Sequence, residues 1–535
     1  MTPLETANVP ADDTPRWNGT GRDMSRAVTQ SPSTPLDGKL AAIVLEEVQA
    51  VARERARHLD LDTRIRELGL DSLEYLDVIA RVERTCDIRI SDAAALQIET
   101  CRDLAQAAAG LAANRPAYGG ELPAESWQLD ATREFQQLRQ SLAEAEAAGE
   151  PDPFFAVAEG ISGPTIEFGG RELINFSGNN YLGMSGDPEV IAAAKAAIDR
   201  YGTSVSASRL VSGTRPPHVE LEREIADFLG TEDAITFTSG QATNATVISH
   251  LLGRGDLILH DELAHNSVLM GARLSGATRR AFPHNDWQAA TDMLDEVRHE
   301  YRKVLIVIEG VYSMEGDYPD VPRFIEVKQR HKALLYLDEA HSLGTLGKRG
   351  RGIGEQFGVS GHEIDIWMGT LSKALGACGG YVAGGRSLVQ YVKYTCPGVI
   401  YTVGLAPPSA AAALTSIRKL RASSAQVTAL QANAKTFLSL AQQRGLNTGK
   451  SGGTPIVPVI LGNSLQALTA SRLMRERGIS VQPILHPAVP ESGARLRFFL
   501  NAFHSEQQLL QTVSTLAEVL REVESRESPG ENAGE

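Results

Sequence analysis

The chain has 535 residues, more than one hydrophobic core sustains, since single cores stop growing at roughly 250–300 residues. Its 42% hydrophobic and 22% charged residues are those of an ordinary folded protein. With 66 acidic against 52 basic residues the formal net charge is −14, which argues against nucleic acid or an anionic membrane surface as partner.

Residues 1–38 are rich in Pro, Thr, Ser and Asp without an apolar period and are expected to be disordered. The opening MTPLETANVPADDTPRW lacks the apolar centre of a secretory signal, and no run of about 18 apolar residues suggests a membrane span. A cytoplasmic protein is expected. Cys86, Cys101, Cys378 and Cys396 form no C-x-x-C pair and have no His cluster beside them, so reduced thiols and no metal site are expected.

From Leu40, LAAIVLEEVQAVA repeats apolar residues at helical spacing. Further helices are expected from Ser72 (DSLEYLDVIARVERT), near Asp92–Ala95 and over Asp103–Leu111, giving a small four-helix bundle over 39–113. Residues 114–129, with NRPAYGGELPAESW, read as a linker. The stretch 130–526 then begins with an amphipathic helix, TREFQQLRQSLAEAEAAG. Short β-branched runs follow, alternating with helical segments: ELINFS, DAITFTSG, KVLIVIEG, ALLYLDEAH, DIWMGTLS and GGYVAGG. That alternation predicts an α/β domain with a mainly parallel sheet under helices. TPIVPVIL and RLRFFLNAFH suggest a smaller C-terminal α+β lobe, and 527–535 a disordered tail.

Two groups of residues carry the chemistry. In LGLDSLEYLDVIARVE, Asp71 and Ser72 stand where a loop becomes a helix; the orphan N–H groups and positive dipole there favour an attached phosphate, although an Asp-Ser pair also serves as a plain helix cap. The stretch resembles the modification site of acyl and peptidyl carrier proteins. That resemblance implies a 4'-phosphopantetheine arm on Ser72 and a docking face of Glu74, Asp77 and Glu83; an ordinary solvated helix face explains those charges as well.

In the larger domain, GTLSKALGACGG places Lys373 in a glycine-rich loop after a strand, and LLYLDEAHSLG places Asp338 at a strand end with His341 three residues on. A carboxylate there needs a partner, and a protonated pyridine nitrogen fits. A lysine for an imine and an aspartate for the ring nitrogen are what pyridoxal 5'-phosphate requires. TFTSGQATNA offers the Gly240 and Gln241 N–H groups and the Ser239 hydroxyl to the cofactor phosphate, with Thr370 and Ser372 as further donors. His265 can stack on the ring, and Ser313 follows another strand end.

Together with NFSGNNYLGMSGDPEV and SASRLVSGTRPPHVELE, these motifs resemble the α-oxoamine synthase family of fold-type I pyridoxal-phosphate enzymes over about residues 130–525. The resemblance implies that Lys373 is the Schiff-base lysine, that Asp338 pairs with the ring nitrogen, that His341 and Ser313 contact the ring hydroxyl, and that His265 stacks on the ring. It gives Arg497, with Arg495 as alternative, and Asn180 to the amino-acid carboxylate. It gives Thr402, in the hydroxyl-poor IYTVGLAPP, to a phosphate contact from a partner subunit, hence a homodimer.

The implied reaction joins a small amino acid (glycine, alanine or serine) to an acyl thioester, releasing the thiol, CO₂ and an α-amino ketone. Roughly 14 linker residues span at most about 45 Å, so the fused carrier could itself deliver the thioester at about millimolar effective concentration. A phosphopantetheinyl transferase and an acyl-loading enzyme are the implied further partners. Two other readings remain open: a fold-type I aminotransferase or lyase, and an unmodified N-terminal docking module.

Overall fold

In a computed structural model of the protein the described residues are 38–527, except 57, 71, 89, 91, 96–97, 113–121, 148–153 and 487. The disorder expected for 1–38 and 527–535 thus falls outside them, apart from Gly38 and Glu527, the first and last residues of helices. The chain divides into two compact units, one helical and one α/β.

The helices on this side of the chain are α1 (Gly38–Ala52), α2 (Ser72–Cys86), α3 (Asp92–Ala95) and α4 (Cys101–Ala112), of which α2 belongs to the helical unit only from Val78 on. Each long helix buries residues at three- and four-residue spacing: Val44, Val48 and Val51 on α1, Val78 and Val82 on α2, Leu104 and Ala108 on α4. Backbone bonds from Ile65 N–H to Glu99 O (2.9 Å) and Cys101 N–H to Thr63 O (3.1 Å) fasten the long α1–α2 connection to the start of α4. Burial pushes the Cys101 thiol up to about 11. None of the four cysteines forms a disulfide. Acids expected on the docking face make bonds nearby. Glu74 accepts from the Arg55 guanidinium at 2.8 and 3.0 Å, and Glu83 from the Ile90 N–H at 2.7 Å.

Part of the expected linker is ordered. Pro123 precedes a single 3₁₀ turn, Ala124–Ser126, and a second turn, Leu129–Ala131, leads into the helix Arg133–Ala147. Local three-residue bonds such as Trp127 N–H to Ala124 O (3.1 Å) suffice to form such turns without a core.

The α/β unit is organised on a seven-stranded sheet: β1 (Asp233–Phe237), β2 (Leu257–Asp261), β3 (Thr278–Phe282), β4 (Val304–Glu309), β5 (Leu334–Asp338), β6 (Ile366–Thr370) and β7 (Gly380–Gly384), in the order 1-7-6-5-4-2-3. Only β7 runs antiparallel to its neighbours. Alternate residues of β4 enter different cores, Val304, Ile306 and Ile308 on one face and Leu305 and Val307 on the other. A sheet buried on both faces needs such an unbroken apolar run, and each of these side chains contributes about 1.5–3 kcal/mol by leaving water.

Two strands fall outside the sequence expectation. Edge strand β3 carries Arg279 and Arg280, and β2 carries the buried polar pair His260–Asp261, which interrupts the apolar pattern. The segment ELINFS contributes its strand, Arg171–Asn175, to a separate small sheet, paired in parallel with Ile479–Ser480. Toward the C-terminus, β8 (Ile456–Ile460), β9 (Gln482–Ile484) and β10 (Arg495–Phe499) form an antiparallel sheet in the order 8-10-9.

One buried cluster ties the ends of β2 and β3 to the loop after β4. His284, just past β3, meets Asp261 Oδ1 at 2.9 Å through Nδ1 and Asp317 Oδ2 at 3.0 Å through Nε2. Burial disfavours the imidazolium, but the two hydrogen-bonded carboxylates outweigh it and lift His284 to about 10. Because the folded-state value is raised, this stabilisation is complete below the unfolded value of about 6.5 and is lost as pH rises through about 10. His284→Gln is therefore expected to cost about 3 kcal/mol at pH 6, with the gap to wild type narrowing toward pH 10, as measured by urea unfolding across that range.

Candidate active site

All strands but β7 point the same way, so their C-terminal ends share one edge of the sheet, where α/β proteins place their sites. Asp338 closes β5 and is buried at 4% exposure. Its Oδ1 accepts the Ala340 N–H (2.9 Å) and its Oδ2 the Asn244 amide (2.7 Å). Asn244 is itself fixed by Tyr336 OH at 2.7 Å, and its amide also reaches Ser267 Oγ at 2.9 Å.

Lys373 Nζ lies 2.7 Å from His341 Nε2, and His341 Nδ1 lies 2.8 Å from Tyr181 OH. Burial is the main cause lowering Lys373 to about 8, against the opposing pull of Asp338 and Glu309, with Arg497 lowering it further. Burial, and then the cations Lys373 and Arg497, push His341 well below its usual range, so the ring is neutral. Gly344, at φ +77°, lets the two loops meet: a Cβ there would stand 2.5 Å from Ala374 Cβ.

Glu309 ends β4 in register with Asp338 and accepts the His265 N–H at 2.5 Å. Burial, then the nearby Asp338 charge, push its carboxyl well above the usual range. His265 is exposed, with Nδ1 held 2.7 Å from Ser267 Oγ, leaving its ring face open. Burial, reinforced by Lys373, lowers its pKa.

Ser239 caps the helix Gly240–Leu251 by accepting the Ala242 N–H at 3.1 Å. The Gly240 and Gln241 N–H groups are first-turn donors without an intrahelical acceptor. Thr370 Oγ1 lies 2.8 Å from Ser372 Oγ, and a Cβ at Gly240 would come within 2.9 Å of Thr370 Oγ1. A backbone cradle of this kind suits a phosphate.

On β10 the two arginines differ. Arg495 is saturated, bonding Gly493 O, Met314 O and, at 2.7 Å, the Glu315 carboxylate. Arg497 gives Nη1 to Ser313 O (3.1 Å) and Met314 Sδ (3.2 Å), while its Nε is buried without a partner. Arg497 is thus the cation open to a ligand, and Ser313 belongs to the group chiefly through its carbonyl.

Asn180 is more engaged than the sequence suggests. Its amide donates to Ser162 O (2.8 Å) and accepts from Ser185 N–H (3.3 Å), a clamp on the backbone. Thr402 lies in the bend after the helix Pro397–Ile400, and no hydrogen bond among the described residues joins it to the Lys373 cluster. Ser72 opens α2, while Asp71 lies outside the described residues. Tyr181, Asn244 and Glu309 lie inside the quoted motifs, but nothing in their spacing assigned them roles. The available signal was a polar side chain embedded in apolar or strand-end sequence.

An amine held near neutrality, a fixed buried carboxylate, an open imidazole face and a helix-start cradle together fit pyridoxal phosphate and define a fold-type I pyridoxal-phosphate transferase. Comparison with known proteins agrees. Residues 171–516 match the model of the aminotransferase class I and II family, and residues 42–108 that of the phosphopantetheine attachment site. The 8-amino-7-oxononanoate synthase of Thermoanaerobacter pseudethanolicus is 39% identical over 372 residues, 70% of this chain and 93% of that protein. That of Pseudomonas putida KT2440 is 40% identical over 370 residues, 69% and 94%. Among solved structures, serine palmitoyltransferase of S. paucimobilis, carrying pyridoxal phosphate and myriocin, is similar at TM-score 0.71 and 32% identity, over 74% of this chain and 100% of that one. Serine palmitoyltransferase of Sphingomonas wittichii is similar at 0.70 and 32%, over 74% and 99%.

The chain belongs to the α-oxoamine synthase family within class I and II aminotransferases, with a phosphopantetheine attachment domain at its N-terminal side. It is a pyridoxal-phosphate-dependent acyltransferase that condenses an amino acid with an acyl thioester.

The fraction of Lys373 present as free amine grows as pH rises through about 8. Pyridoxal phosphate uptake by the apo chain, followed by visible absorbance, should accelerate across that range and be abolished in Lys373→Ala. A rate flat between about pH 7 and 9 contradicts the effect of burial.

Proposed function

We propose that the chain transfers an acyl group from its own carrier domain, where it is held as a phosphopantetheine thioester on Ser72, to a small amino acid (glycine, alanine or serine), releasing CO₂ and an α-amino ketone. The observation that carries this reading is the presence of an attachment-site domain and an acyltransferase in one polypeptide. In this reading 39–113 is a four-helix carrier bundle, 114–129 the tether and 130–526 the transferase with its smaller C-terminal α+β lobe. The active protein is a cytoplasmic homodimer, served by a phosphopantetheinyl transferase and an acyl-loading enzyme.

When bound, pyridoxal phosphate supplies an electron-withdrawing ring that stabilises negative charge on the carbon bearing the substrate amino group. Lys373 holds the cofactor, and Asp338, kept an acceptor by Asn244 and Ala340, holds the ring-nitrogen proton. His341 and Ser313 contact the ring hydroxyl and His265 stacks on the ring. Ser239, Gly240, Gln241 and Thr370 cradle the phosphate, with Thr402 added from a second subunit. Arg497 receives the substrate carboxylate, preferably as a bidentate pair, and Asn180 supports it. Once freed by the substrate amine, Lys373 Nζ is a base of about the right strength to take the proton from the adjacent carbon near neutral pH. Neutral His341 accepts a hydrogen bond from it at Nε2 and so keeps Nζ in place.

Acyl transfer by wild type and Ser72→Ala, each treated with a phosphopantetheinyl transferase and offered carrier-loaded or coenzyme A donors, tests the reading. Wild type should gain the arm by intact mass and turn over from it, whereas Ser72→Ala should do neither. Equal turnover by Ser72→Ala under carrier loading would defeat the proposal.

A further inference from the structure

On β10, alternation places Arg495, Arg497 and Phe499 on one face. The Phe499 ring is buried, and the Arg497 guanidinium carbon stands 4.5 Å from its centroid. The His341 ring is parallel to it at 6.2 Å and 9°, and the Tyr181 ring meets it edge-on at 6.0 Å. One aromatic ring thus neighbours both the arginine and the Tyr181–His341 pair.

We propose that Phe499 is a positioning residue for the substrate carboxylate. Its ring holds the Arg497 guanidinium so that the Nε–Nη2 edge forms the fork offered to the amino acid. The proposal rests on the assignment of Arg497 to that carboxylate. Three observations carry it. Nη1 is taken by Ser313 O and Met314 Sδ, which leaves the Nε–Nη2 edge. Nε is buried with no partner, and an unmade buried N–H is costly enough to call for an acceptor. Arg497 also lacks the carboxylate that neutralises Arg495; the negative ring face steadies its charge without using up a donor. A substrate carboxylate therefore meets an oriented and unneutralised fork.

The test uses the holoenzyme with glycine, alanine and serine, reading both KM and the dissociation constant from the visible spectrum of the bound cofactor. Phe499→Leu and Phe499→Met keep apolar bulk but remove the ring. Each should weaken amino-acid binding about tenfold, with kcat at saturation kept within about twofold. Binding of ethylamine, which lacks the carboxylate, should not change, and Phe499→Tyr should restore wild-type values. Phe499→pentafluorophenylalanine, which keeps the shape but loses the negative ring face, should weaken binding as Leu does, so the proposal stays open to refutation even if the aliphatic variants do not fold. Unchanged amino-acid binding in these variants, or an equal loss for ethylamine, overturns it. Arg497→Ala separates the two layers: unchanged amino-acid binding there refutes the carboxylate assignment itself, whereas weakened binding there with none in the Phe499 variants refutes only the role of Phe499.

Discussion

A lysine amine kept out of water, 2.7 Å from a neutral imidazole, is the contact on which the rest of the site depends. Burial strips Lys373 of most of its preference for the charged state, bringing it to about 8, while the Asp338 and Glu309 carboxyl groups keep it from falling further. If Nζ donates to His341 Nε2, the imidazole hydrogen sits on Nδ1 and faces Tyr181 OH, which fixes tautomer and ring plane together. The remaining buried groups follow from this balance. Burial, then the Asp338 charge at the adjacent strand end, push Glu309 well up, while Asp338 is held by Asn244 and the Ala340 N–H.

Much of this arrangement was legible in the sequence because loops at strand ends demand particular residues. DEAHSLG and TLSKALG stand out through the glycines that let Gly344 approach Ala374, and each motif sits behind a strand readable from its apolar run. Roles that depend on long-range pairing were not legible. Tyr181 meets His341 across 160 positions, Asn244 meets Asp338 across 94 and His265 meets Glu309 across 44; no local pattern encodes such partners. Strand β3 escaped notice because an edge strand tolerates arginines that a central strand would exclude. The bonds of two α2 acids were equally illegible: Glu83 accepts from the Ile90 N–H and Glu74 from Arg55.

The His284 cluster bears on the site from the opposite side. Asp317 is four residues beyond Ser313, whose carbonyl takes the Arg497 Nη1, and Asp261 is four residues before His265. One buried imidazolium thereby anchors both loops that bring site residues to the sheet edge. Its single positive charge offsets one of the two carboxylates, so the cluster keeps a net negative charge.

The two arginines of β10 show why spacing alone could not settle the assignment. Arg495 and Arg497 have the same chemistry, lie two residues apart and share a strand face, so the pattern RLRFF treats them alike. Their neighbours differ. Glu315 and two backbone carbonyls saturate Arg495, making it a brace between β10 and the loop after β4. Arg497 meets a carbonyl, a thioether and an aromatic face, none of which cancels its charge, and it keeps a buried N–H without an acceptor. An acceptor relieves that cost, and a carboxylate, with two acceptor oxygens on one plane, matches the open edge better than any neutral group.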